Sequence, residues 1–157
     1  MKGKTVLWLL LVLAVICCGC GRKKDTTYLP IGTESELTEA RQETGLELSV
    51  AGGQELHAGV PSIKLLLHNG TDSKIGFGRE IEVFLMNGNE WQKLKWKDGA
   101  TILADYMEIS ASADYTISLD YESLYGAPLK EGTYRVVKNV WKNDEKVSVT
   151  AEFTVLP

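Results

Sequence analysis

Between Leu46 and Leu156 apolar and polar residues alternate repeatedly with a period of two. Successive side chains of a strand point to opposite faces, so this period predicts half-buried strands. The cleanest run closes the chain. Val147, Val149, Ala151, Phe153 and Val155 alternate there with Ser148, Thr150, Glu152 and Thr154. A second β-rich run, Gly132 to Trp141, precedes it across the turn-like Lys142-Asn143-Asp144-Glu145, and together they predict a terminal β-hairpin.

The same pattern recurs upstream. Leu46, Leu48 and Val50 share one face, as do Ile63, Leu65 and Leu67 before the turn Asn69-Gly70-Thr71-Asp72. Ile81, Val83 and Leu85 alternate with Glu80, Glu82, Phe84 and Met86 up to Asn87-Gly88-Asn89. Asn-Gly between two β-rich runs is a strong hairpin signal. It makes Trp91 to Trp96 the returning strand, with Leu94 and Trp96 on one face and Lys93, Lys95 and Lys97 on the other. Residues 100–109 are ambiguous, with room for a short strand, and Tyr115, Ile117, Leu119 and Tyr121 alternate again. No segment keeps a helical period over three turns. Seven or eight short strands at this spacing predict an all-β antiparallel sandwich or barrel, the sandwich being the better fit, since one open sheet would leave an apolar face in water.

Upstream of Leu46 the pattern changes. Lys2 and Lys4 precede an unbroken apolar run, Val6 to Cys18, too short to span a bilayer but suited to a signal peptide. Cys17-Cys18-Gly19-Cys20 follows, and an apolar run ending in a small residue and cysteine resembles a bacterial lipoprotein signal. That resemblance implies a diacylated cysteine at the new N-terminus. Gly19-Cys20 fits it best; Cys18 is the alternative, and Cys17 follows the bulky Ile16. The upstream Cys17 and Cys18 depart from the usual leucine and small residue. The organisation expected is therefore a signal peptide over 1–19, a lipid-anchored tether over 20–45 and a β-sandwich domain over 46–157. Arg22, Lys23 and Lys24 would lie beside anionic head groups and reinforce the anchor.

The domain itself resembles a known family at Gly132-Thr133-Tyr134-Arg135-Val136-Val137, with Asp120 to Gly126 and Leu129 before it. Ala151-Glu152-Phe153-Thr154-Val155 looks like that family's closing strand, and Leu67-His68-Asn69 through Phe77-Gly78 like its early asparagine and aromatic-glycine segment. The family is the bacterial Ig-like domain of Gram-positive lipoproteins. The likeness covers Leu46 to Pro157 and implies an immunoglobulin-like sandwich, most members having no assigned activity. Tyr134, at the start of a penultimate strand, is placed to be the tyrosine corner of such a sandwich.

Charge and residue chemistry narrow the function. The net charge is -4, and removing Lys2 and Lys4 with the leader leaves 15 basic against 21 acidic residues, or -6. Such a balance argues against nucleic acid, which needs a basic surface. All three cysteines precede Gly21, so the domain has no disulfide to rely on. His57 and His68 stand alone, and Asp72, Asp98, Asp105 and Asp114 are scattered, so neither a metal site nor a bound cofactor is expected. Gly76-Phe77-Gly78 shares the opening of a phosphate-binding motif, but with Glu80 and Glu82 beyond it a flexible bend entering a strand is the expectation.

No catalytic residue is expected. The chain reads as a membrane-anchored, non-catalytic module binding an unidentified protein or envelope component. A protease inhibitor presenting Gly126-Ala127-Pro128-Leu129 is the alternative, followed by a carbohydrate-binding module or small hydrolase. Trp91, Trp96, Trp141, Tyr106 and Tyr125 are the aromatics available for stacking on sugars, although Trp91 and Trp96 fall on opposite faces of one strand. If Ile81, Val83 and Leu85 point inward, Phe84 and Met86 point outward, exposed unless a neighbouring loop covers them.

Overall fold

The computed structural model describes residues 44–157 and the backbone of residues 30–33; Cys17, Cys18 and Cys20 lie outside the described residues. In chain order the strands are β1 (Pro30–Thr33), β2 (Leu46–Val50), β3 (Glu55–His57), β4 (Ser62–Asn69), β5 (Ile75–Gly78) and β6 (Glu82–Asn87). They continue as β7 (Glu90–Leu94), β8 (Tyr106–Ile109), β9 (Ala113–Asp120), β10 (Gly132–Lys142) and β11 (Glu145–Leu156). One short helix, α1 (Tyr121–Tyr125), lies between β9 and β10.

The strands form two sheets facing each other. The large sheet runs β1-β7-β6-β10-β11-β3, with β5 also pairing β10 and β8 beyond β5; the small sheet runs β2-β4-β9. This is the two-sheet β-sandwich that the alternation predicts, with the immunoglobulin-like form that the resemblance implies. Its spine is the β10–β11 hairpin, paired from Gly132↔Val155 to Lys142↔Glu145. Asn143 and Asp144 turn it at φ +51° and +66°, the two positive angles of a tight primed turn. Tyr134, Val136 and Val140 of β10 and Val147, Val149, Ala151, Phe153 and Val155 of β11 are buried against Leu46, Leu48, Ile63, Leu65 and Leu67 of the small sheet. Each sheet therefore gives its apolar stripe to one core, where burial is worth about 25 cal/mol per Å² of apolar surface.

The structure has eleven described strands where the periodicity predicts seven or eight. β3 is three residues long and pairs in parallel with the end of β11. A segment that short carries no period, and only its neighbour makes it a strand. β5 is Gly76-Phe77-Gly78 with Ile75, so the expected flexible bend is a paired strand instead. Glycine contributes no side chain there, and the Tyr106 ring from β8 lies over Gly76 where a Cβ would sit. β1 falls within the segment expected to be a featureless tether, and pairs β7 at Pro30↔Leu94 and Thr33↔Gln92. Residues 100–109 resolve into a loop and β8. Tyr121, expected to continue β9, opens α1, because Asp120 caps the helix by accepting from the Ser123 N–H at 3.0 Å.

Candidate interaction site

β9 reads Ala-Asp-Tyr-Thr-Ile-Ser-Leu-Asp, with its polar members Asp114, Thr116, Ser118 and Asp120 exposed and Tyr115, Ile117 and Leu119 turned inward. It pairs with β4 along its whole length and, among the described residues, with nothing on its other side. The ladder pattern shows which groups face that open side. Gly70 N–H donates to Gly45 O at 2.6 Å and Ala51 N–H to Lys64 O at 2.9 Å, so even-numbered residues of β4 bond toward β2. Backbone groups alternate sides in an antiparallel ladder, so odd-numbered residues of β4 bond toward odd-numbered residues of β9. Tyr121 N–H donating to Pro61 O at 3.0 Å continues that register. The N–H and C=O of Asp114, Thr116 and Ser118 are left facing outward.

Beside this edge lies a cleft of about 490 Å³ between the two sheets, lined by Tyr115 and Ile117 of β9, Phe77 of β5, Met107 of β8 and Leu103 of the preceding loop. The Tyr115 ring meets Phe77 edge-on at 5.2 Å, and its hydroxyl donates to Met107 Sδ at 3.1 Å. β9 is the last described strand of the small sheet and β8 the last beyond β5 in the large one, and the two meet through Tyr115 and Met107.

Lys138 lies at the floor of the cleft. It sits on the inward face of β10 between Val136 and Val140, and only 1% of it is exposed. Its ammonium donates to Gly78 O and to Glu80 O, the latter at 2.7 Å, and lies 5.2 Å from the centre of the Phe77 ring. Burial pushes its pKa down to about 8. The sequence signal was available, as a single cation in an otherwise apolar inward row.

Like Thr71 and Ser148, Asn69 is another buried polar residue that alternation misses. Its Nδ2 donates to Ser73 O and to Ser110 O, both at 2.9 Å, and its Oδ1 accepts from Thr71 Oγ1 at 2.7 Å. It joins the turn after β4 to the turn before β9. Composition marks Asn69-Gly70-Thr71-Asp72 as a solvated turn, and nothing local signals that a second turn closes over it.

Tyr134 is a tyrosine corner, its hydroxyl donating to Lys130 O at 2.9 Å while its ring stacks on Phe153 at 5.4 Å. Burial pushes its pKa up to about 12. Phe84 and Met86 are not an exposed pair: Phe84 is buried with Trp91 and Val137 on the outer side of the large sheet, with Met86 packed against them. The loop expected for a protease inhibitor is tied to the body, since Leu129 is buried in the core and Ala127 and Pro128 are half-buried.

The aromatics do not converge. Arg135 lies 4.2 Å from the centre of the Trp91 ring and is held by Glu152, with Nη2 to Oε1 at 2.6 Å. Tyr125 is buried, Trp96 packs partly buried against the core, and only Tyr106 and Trp141 are exposed among these five. His68 hydrogen-bonds Asp114 at 2.6 Å, and His57 lies 3.3 Å from Pro157 O. Arg79 pairs with Asp105 at 2.7 Å and holds that carboxyl below its usual range. No group of three metal-ligating side chains occurs among the described residues.

A family model described as a bacterial Ig-like domain matches residues 42–154. No curated protein matches the chain in sequence. Among solved structures, the archaellum periplasmic stator protein FlaG from Sulfolobus acidocaldarius is similar at a TM-score of 0.41 and 12% identity, over 69% of this chain and 99% of that one. The FlaF–FlaG complex from the same organism gives a TM-score of 0.41 and 13% identity, over 71% of this chain and 92% of the other. A β-glucosidase from Listeria innocua gives 0.28 at 17% identity, over 71% of this chain and 16% of the enzyme.

Proposed function

Because this chain belongs to the bacterial Ig-like domain family, matched over residues 42–154, we propose that it is a non-catalytic extracytoplasmic module that binds a protein or a cell-envelope component. The observation that carries the reading is the edge of β9, open among the described residues, beside a cleft of mixed apolar and polar lining, a surface suited to holding another chain. The aromatic positions favour this over a sugar platform, because Arg135 occupies one face of Trp91 and Tyr125 is buried.

In this reading Cys20 carries the lipid and holds the module on the membrane. Two acyl chains give stable attachment, each buried methylene contributing roughly 0.8 kcal/mol. Pairing of β1 shortens the tether: nine residues separate Cys20 from Pro30. Fully extended, they reach about 30 Å. The domain would therefore act close to the membrane surface.

Two measurements test the reading. Mass spectrometry of the mature N-terminus should find diacylglycerol on Cys20, and Cys20→Ser should release the protein from the membrane; a free, unmodified terminus elsewhere overturns the anchor. Affinity capture from crosslinked envelopes should recover one recurring partner, and recovery of none overturns the binding role.

A further inference from the structure

We propose that β9 is a strand-addition site whose partner is an extended protein segment, apolar at alternate positions and basic at two of the positions between. The proposal rests on the binding role proposed above and assigns it to one edge.

Three observations converge on that edge. Asp114, Thr116 and Ser118 direct their N–H and C=O groups away from β4, so an incoming strand finds a row of backbone donors and acceptors that no other described strand pairs. Edge strands usually block such pairing with an inward charge, a proline or a bulge. β9 has none of these: its inward residues are Ala113, Tyr115, Ile117 and Leu119, and its register with β4 is unbroken. Among the described residues no strand pairs with β9 on this side. A fourth strand beside β9 would lie over β8 and set its inward side chains into the cleft between Ile117 and Met107.

Charge selects the occupant. Asp114 and Asp120 stand on the outward face of β9, six residues apart. A second copy paired antiparallel about Ile117 would place Asp114 of each copy opposite Asp120 of the other. A parallel pairing would set each acid beside its own equivalent. Like charges directly opposite are unfavourable on a sheet, and opposite charges are favourable. In the registers that engage all four outward residues, the edge therefore disfavours its own copy and favours a strand with lysine or arginine six residues apart.

The probe is a nine-residue peptide, acetylated and amidated, with valine at odd positions, lysine at positions two and eight, and threonine at four and six. Its control carries aspartate in place of both lysines. Added to the full chain in detergent micelles, the lysine peptide should slow amide exchange at Asp114, Thr116 and Ser118, read by NMR. The aspartate peptide should bind about threefold to tenfold more weakly. Thr116→Pro and Ser118→Pro remove an outward N–H without touching the bonds to β4, so they should keep the fold and lose the peptide.

Absence of peptide binding at millimolar concentration overturns the proposal, as does equal affinity for the two peptides. Binding that leaves those three amides unprotected overturns it as well. A dimer in sedimentation that Ser118→Pro dissolves would assign the edge to a second copy and also overturn it. Crosslinking in envelopes separates the two levels of the argument. A partner retained by Ser118→Pro overturns this site and leaves the binding role standing; no partner with the wild-type chain overturns the binding role itself.

Discussion

Asn69 and Lys138 show how much a single buried polar group decides. Asn69 is fully buried and serves two turns at once. Asn69→Ala would leave Ser73 O and Ser110 O without its amide and Thr71 without its acceptor, costing about 2–3 kcal/mol in a urea melt. Lys138 gives a pH signature. Its ordinary value is 10.5, and burial lowers it to about 8 in the folded chain. Between those values the unfolded chain holds a proton that the folded chain does not, so stability rises with pH across that window. The slope expected is roughly 1 kcal/mol per pH unit. Urea melts at pH 8 and pH 10 should show this rise in the wild type, and Lys138→Met should remove it.

At the scale of elements, the β10–β11 hairpin shows the register the alternation predicts, with Phe153 opposite Tyr134 and inside the core. Phe153→Ala should cost about 3–5 kcal/mol, because it empties a buried aromatic volume. Thr154→Ala, one residue along and on the other face, should cost under about 1 kcal/mol. Urea melts of the two variants measure the register, since a slip by one residue exchanges the faces. β5 marks the boundary of such reasoning. Two glycines give no alternation, and the strand exists because β10 and β8 offer partners on both sides and Tyr106 fills the space above Gly76.

For the whole molecule, the two sheets hold together by packing, with no cysteine anywhere from Gly21 to Pro157. Circular dichroism of the domain from Leu46 to Pro157 should therefore show the same β spectrum with and without reductant. A shift on reduction, or a helical spectrum, would contradict this fold. β1 ties residues 30–33 to the edge of the large sheet at β7, so the sheet takes in chain that lies upstream of Leu46.

The amino-acid sequence by itself determined the all-β class, the terminal hairpin, the places of its turns and the inward rows of β2, β4 and β11. Those features rest on a local period of two and on turn residues, and both are written in consecutive positions. It also carried the family resemblance that the match over residues 42–154 bears out. Tertiary structure alone decided which strands share a sheet, that Phe84 is buried and Leu129 is anchored, and that among the described residues β9 ends the small sheet with one edge open. These depend on contacts between residues far apart in the chain. Asn69 and Ser110 are separated by 41 positions, and Lys138 and Gly78 by 60. No local pattern encodes such partners, because a backbone edge or a buried amide is defined by what the rest of the molecule brings to it.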